Sequence, residues 1–282
     1  MSGEESTRLA PRLRAAFAAP RARRAALIPY LTGGYPDVGT SDRLIAALVA
    51  AGADIVELGV PFSDPIADGP VVQRSTHEAL RRGVTPEQVF DLVAAHSRQL
   101  PFVLLVYLNS VLAYGAGRFF ARAASTGVEA LVIPDLPLDE ALRAGAVAGV
   151  SGSLAELAAA HDLALVPMAT PTSTEARLEL VARVARAFVY CVAVTGVTGP
   201  RAELGRELPA LVLRLRARTT APLAVGFGIS TPAQAASVAG LADGVVIGSA
   251  LIDAVARSAD PTDACAVAAR LVGAASRAIA AG

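Results

Sequence analysis

The sequence predicts a (β/α)8 barrel. Eight short apolar, β-branched runs recur along 282 residues, and stretches of helical period rich in Ala, Leu and Arg separate them. None of the paired-Gly turns that join hairpins falls between neighbouring runs. Alternating strands and helices make a parallel sheet, because a parallel neighbour is reached only through a crossover, and eight such units close on themselves. Lengths near 250 are ordinary for one barrel, so residues 1–282 are expected to form a single domain, with residues 1–24 a helical extension capping it. A doubly wound open sheet is the alternative arrangement of the same units.

The N-terminus is Arg-rich (Arg8, Arg12, Arg14, Arg21, Arg23, Arg24), like an organelle transit peptide, but Glu4 and Glu5 do not suit one. Leu9, Leu13 and Phe17 follow a helical period, which predicts an amphipathic helix closing one end of the barrel. The eight predicted strands are Ala26–Leu31, Ile55–Val60, Phe102–Tyr107, Ala130–Pro134, Leu163–Met168, Ala187–Ala193, Leu223–Gly226 and Gly244–Ile247. Stretches of helical period between and after them include Ser41–Ala51, Pro86–Gln99, Arg118–Thr126, Thr174–Arg186, Leu208–Arg218, Pro232–Ala239 and Pro261–Ala280. Start signals set their register: Ser41-Asp42, Thr85-Pro86-Glu87, Thr231-Pro232 and Pro261-Thr262-Asp263. The segment Arg143–Ser153 is too Gly-rich for a helix interior and splits the fourth crossover as a surface insertion.

Composition narrows the function. Net charge is zero, so nothing electrostatic favours nucleic acid or an anionic membrane as partner. No uncharged apolar run approaches the roughly 18 residues of a membrane span, and a soluble, cytoplasmic protein is expected. Cys191 and Cys265 match no metal or redox spacing and are read as buried free thiols. All 25 basic residues are arginine, so no Schiff base to a carbonyl substrate or to pyridoxal phosphate can form on this chain. His77, His96 and His161 are scattered at helix-like positions, so no metal site is expected either.

Barrel enzymes carry their chemistry at the carboxyl ends of the strands. Glu57 is the lone carboxylate of an apolar strand, where its neutral form is favoured, and Asp68 follows eleven residues later in a Pro- and Gly-rich loop. That loop is expected to be wet and to leave Asp68 ionised, which would divide acid/base and electrostatic roles between the pair. A Glu held by an Arg or by backbone for structural reasons is the competing reading of the same spacing. Three Gly-containing turns, Thr195-Gly-Val-Thr-Gly199, Gly226-Phe-Gly-Ile-Ser230 and Gly248-Ser249, follow the sixth, seventh and eighth strands and predict a backbone cradle for phosphate, with Gly248-Ser249 opening a short helix. Leu105, Tyr107, Tyr190 and Phe227 offer apolar or aromatic walls between the two halves.

The segment Glu57-Leu-Gly-Val-Pro-Phe-Ser-Asp-Pro-Ile-Ala-Asp68-Gly-Pro is long and specific. Together with Ile133-Pro-Asp-Leu-Pro137, the three Gly turns and Asp243-Gly-Val-Val-Ile-Gly-Ser249, it resembles the tryptophan synthase alpha chain family from about Leu27 to Ile252, in the family's order. The resemblance implies retro-aldol cleavage of indole-3-glycerol phosphate to indole and glyceraldehyde 3-phosphate, with Glu57 as acid/base and Asp68 offsetting the positive charge of the protonated indole. It places phosphate on Gly199, Gly228, Gly248 and Ser249, and the substrate pocket at Tyr30, Leu105, Tyr107, Tyr190, Thr198 and Phe227. No cofactor is implied in this chain. Pyridoxal phosphate is expected in a separate beta chain, docked near Asp64, Asn109, Asp135 and Pro137 in an alpha2beta2 tetramer. Tyr30 stands where phenylalanine is common, and Leu108-Asn-Ser110 departs from the usual segment on the docking side. A free-standing lyase releasing indole, and a non-catalytic barrel that binds a phosphate ester, are the alternative functions.

Overall fold

The computed structural model describes residues 10–18, 25–192, 207–226 and 228–281. The chain runs α1 (Pro11–Ala18), β1 (Ala26–Thr32), α2 (Val38–Ala50), β2 (Val56–Gly59), α3 (Pro70–Arg81), α4 (Pro86–His96), β3 (Phe102–Leu105), α5 (Leu108–Tyr114), α6 (Ala116–Thr126) and β4 (Val128–Val132). It continues through α7 (Leu138–Leu142), α8 (Leu154–Ala159), β5 (Ala164–Leu165), β6 (Met168–Ala169), α9 (Glu175–Val184), β7 (Val189–Val192), α10 (Leu208–Arg216), β8 (Leu223–Gly226), α11 (Pro232–Ala239), β9 (Gly244–Ile247), α12 (Ser249–Ala256) and α13 (Pro261–Ala281).

Every strand pair is parallel, in the order β5-β4-β3-β2-β1-β9-β8-β7-β6. The predicted fifth strand is divided in two at Pro167, which has no N–H to continue a ladder. Its first half bonds to β4, with Val166 N–H donating to the Leu131 carbonyl at 2.9 Å, and its second half serves β7, with Tyr190 N–H donating to the Pro167 carbonyl at 3.0 Å. One segment is therefore bonded on both sides, and the sheet closes into the predicted barrel.

Several boundaries differ from those the sequence predicts. The first crossover helix starts at Val38 rather than Ser41, because Asp37 accepts the Thr40 N–H as its cap. Capping boxes at Thr85/Gln88 and Thr231/Gln234 open α4 and α11 where predicted. Residues 70–81 and 108–114, to which the sequence reading gave no helix, are the helices α3 and α5. The split of the fourth crossover holds: α7 stops at Leu142, Gly145, Gly149 and Gly152 take positive φ, and Ser153 caps α8 with Glu156 reciprocating. His96, read at a helix-like position, lies in the last turn of α4 and is buried, bonded to Asp42 at 2.8 Å. Cys191 is buried as expected, whereas Cys265 is half-buried. The helix α13 is long and apolar enough by composition to cross a membrane, and it packs on α2, α11 and α12.

Candidate active site

All four residues of β2 are buried, so Glu57 is carried into the barrel interior by its strand rather than standing at the strand's end. It is 1% exposed. Burial first, and the negative charge of Asp68 second, push its carboxyl up to about 8, against a lowering by the Tyr190 hydroxyl. Tyr190, on β7, donates to Glu57 Oε2 at 3.5 Å, while Oε1 is buried with no hydrogen-bond partner among the described residues. A buried orphan oxygen is disfavoured unless a ligand supplies the missing group.

Asp68 corrects the sequence reading. It is 5% exposed rather than wet, and burial raises its carboxyl to about 6, with the Tyr107 hydroxyl pulling the other way. Helix α3 begins two residues later, with Pro70 opening it behind Gly69, and its Gln73 side chain donates to the Asp68 carbonyl at 2.9 Å. Asp68 thus precedes the N-cap, where the helix dipole favours its anion. Tyr107 follows β3 and caps α5 instead of ending the strand, and its hydroxyl receives the Ala67 N–H at 3.0 Å while donating to Asp68 Oδ2 at 3.1 Å. Phe62 stacks on the same ring at 5.0 Å. This clamp on the Asp68 loop has no periodicity or motif to announce it in the sequence.

Tyr30 pairs in register with Glu57 from β1. Its ring runs between two glycines: a Cβ at Gly59 would lie 2.2 Å from the phenol oxygen, and one at Gly248 3.4 Å from the ring's first atoms. Burial raises the Tyr30 phenol well above its ordinary value, with Asp68 adding to it, so it stays protonated. Leu105, the last residue of β3, is buried one strand away. Opposite, Gly228 takes φ +88°. Gly248 is the N-cap of α12 and Ser249 its first residue, with no side chain capping that helix, so its first N–H groups are left for another acceptor. Thr198, Gly199 and Phe227 lie outside the described residues.

On the rim beyond, Asp135 accepts the Leu108 N–H at 2.9 Å, which joins Asp135 to the start of α5 beside Asn109. Pro137 is the N-cap of α7 and, with Asp135, Ile133 and Met168, lines a cavity of about 310 Å³. Asp64 sits in the exposed part of the loop between β2 and α3.

The chain is similar in sequence and in fold to known proteins. A family model described as "Tryptophan synthase alpha chain" matches residues 17–278. The chain belongs to the tryptophan synthase alpha chain family. Among curated tryptophan synthase alpha chains, that of Pelobacter propionicus is 46% identical over 229 residues, 80% of this chain and 82% of the relative. That of Chloroflexus aurantiacus is 44% identical over 250 residues, 87% and 90% of the two chains. Among solved structures, a chain of Mycobacterium tuberculosis tryptophan synthase is 38% identical, with a TM-score of 0.84 over 96% of this chain and 99% of that one. In this member of the family, one buried carboxylate, Glu57, lies inside the closed barrel and the other, Asp68, in the loop that follows its strand.

Proposed function

We propose that this chain cleaves indole-3-glycerol phosphate to indole and glyceraldehyde 3-phosphate by a retro-aldol reaction, the last stage of tryptophan synthesis before indole is consumed. The observation that carries it is the pair of buried carboxylates in one interior: Glu57 with an orphan oxygen, raised to about 8 by burial, and Asp68 held by the Tyr107 hydroxyl, raised to about 6. Near neutral pH the first is a buried acid and the second an anion.

Glu57 delivers its proton to C3 of the indole ring, and the carboxylate of Asp68 offsets the charge that develops on the ring nitrogen. The Glu57 carboxylate so formed takes the proton of the C3′ hydroxyl as the C3–C3′ bond breaks. Its electron pair restores the aromatic indole, the alkoxide becomes the aldehyde, and Glu57 is again protonated. Indole is the electron sink, so the chemistry asks for neither a Schiff-base lysine nor a metal. Tyr190 orients Glu57, Tyr107 holds Asp68, and Tyr30 and Leu105, with Thr198 and Phe227, wall the ring. Gly228, Gly248 and Ser249, together with Gly199, receive the phosphate through backbone N–H groups and the start of α12. The indole passes to a beta chain holding pyridoxal phosphate in the cytoplasm, docked over Asp64, Asn109, Asp135 and Pro137.

Indole release by the purified chain tests the reading. Glu57→Gln is expected to lower kcat by at least about 10²-fold with binding of glycerol 3-phosphate little changed. Turnover near that of the wild type in this variant removes Glu57 from the mechanism.

A further inference from the structure

The mouth of the barrel above Glu57 belongs to the site just described; its floor does not. Helix α1 lies there. Leu13 is fully buried, and Phe17 reaches into the barrel at the starts of three strands: a Cβ on Gly244 would stand 2.8 Å from the Phe17 ring, in a space shared with Ala224 and Ile28. Phe17 packs on Phe188 at 5.4 Å between ring centroids, Phe188 on Tyr190 at 6.4 Å, and the Tyr190 hydroxyl donates to Glu57 at 3.5 Å. An unbroken run of aromatic side chains leads from the N-terminal helix to the acid/base. The helix is tied down by a carboxylate that the reaction does not use. Glu129, on β4, accepts the N–H groups of Arg12 at 2.9 Å and Leu13 at 3.0 Å, and it faces the Arg12 guanidinium, which also bonds the Ser97 carbonyl.

We propose that Phe17 is a positioning residue: with α1 anchored on Glu129, it seals the barrel floor and, through Phe188 and Tyr190, keeps water from reaching Glu57 from below. The proposal rests on the reading of Glu57 as the acid/base. Burial is the leading cause of that carboxyl's raised value, so admitting water should lower it. Among the described residues, the other groups that face Glu57 are Asp68 from the loop before α3, Tyr190 from β7 and Tyr30 from β1, and a substitution at 17 replaces none of them.

The test is made on the full chain without substrate. The carboxyl infrared band of Glu57, assigned by its loss in Glu57→Gln, is titrated in the wild type, where the midpoint is expected at about 8. In Phe17→Ala the midpoint is expected to fall by at least about one unit, the alkaline limb of kcat moving with it, and Phe17→Leu should restore most of the shift. An unmoved midpoint in Phe17→Ala overturns the proposal, whatever happens to turnover. If that variant does not fold, Glu129→Ala, which takes away the acceptor of the Arg12 and Leu13 N–H groups and so frees α1 and the Phe17 plug with it, is read by the same midpoint and with the same two outcomes. A titrating band beside undiminished activity in Glu57→Gln would instead sink the acid/base reading and leave the floor seal standing.

Discussion

At the scale of single residues, two carboxylates eleven positions apart meet the same barrel interior and are set to different strengths by it. Glu57 has one weak donor and an orphan oxygen, whereas Asp68 has the Tyr107 hydroxyl and the start of α3 beside it. Cleavage needs Glu57 neutral and Asp68 ionised. Activity should therefore fall as pH drops through about 6, where Asp68 takes up a proton, and fall again as pH rises through about 8, where Glu57 loses its own. A bell centred near neutrality in the pH profile of kcat/KM is the expected outcome. A plateau running from about pH 5 to about pH 10 would show that neither group governs the rate. Strand polarity and spacing singled out both residues, and the family resemblance gave them their roles. The sequence reading misjudged the surroundings of Asp68, because Pro and Gly announce a loop but not whether a neighbouring aromatic and a helix start will cover it.

At the scale of elements, caps convert local sequence into site geometry. In the loop leading to α11, the Gln234 side-chain oxygen accepts from Ser230 N–H at 2.8 Å, Ser230 Oγ at 3.0 Å and Thr231 N–H at 3.1 Å, while Thr231 Oγ accepts the Gln234 N–H at 3.2 Å. This box fixes the two residues that follow Gly228 and Ile229 in the proposed phosphate cradle. Gln234→Ala is expected to raise KM for the phosphorylated substrate several-fold with kcat nearly constant, and to reduce stability by about 1 kcal/mol. Steady-state kinetics with urea denaturation checks both; an unchanged KM would detach this loop from phosphate binding. Strands and capped helices were readable from period and start signals. The helices α3 and α5 were not: α3 directly follows the Pro- and Gly-rich loop of Asp68, and α5 is seven residues long with Asn109 and Ser110 in its first turn, too short to show a period; the fifth strand was readable in place but not in its division at Pro167.

At the scale of the whole molecule, closure of the barrel brings β1, β2 and β7 around one interior and leaves the rim of Asp64, Asn109, Asp135 and Pro137 facing outward. If that rim receives a beta chain, the docked partner favours the state in which the loop carrying Asp68 covers the substrate, and kcat rises by population shift. Adding a purified beta chain should speed indole formation by at least about tenfold. A chain already fast alone and indifferent to any beta chain would be a free-standing lyase, and the docking role of the rim would fall.

Period, capping residues and the Glu57 to Asp68 segment by themselves determined the barrel, the family and the two carboxylates, because each is encoded in residues adjacent or regularly spaced along the chain. Only the tertiary structure decided how deeply Asp68 is buried, that Tyr107 holds it, that Tyr190 reaches Glu57 from 133 residues away, and that Phe17 lies beneath them. Those relations depend on which side chains share the barrel interior once its ends have met, and parallel strands brought together through crossover helices leave no local trace of which neighbours they will face.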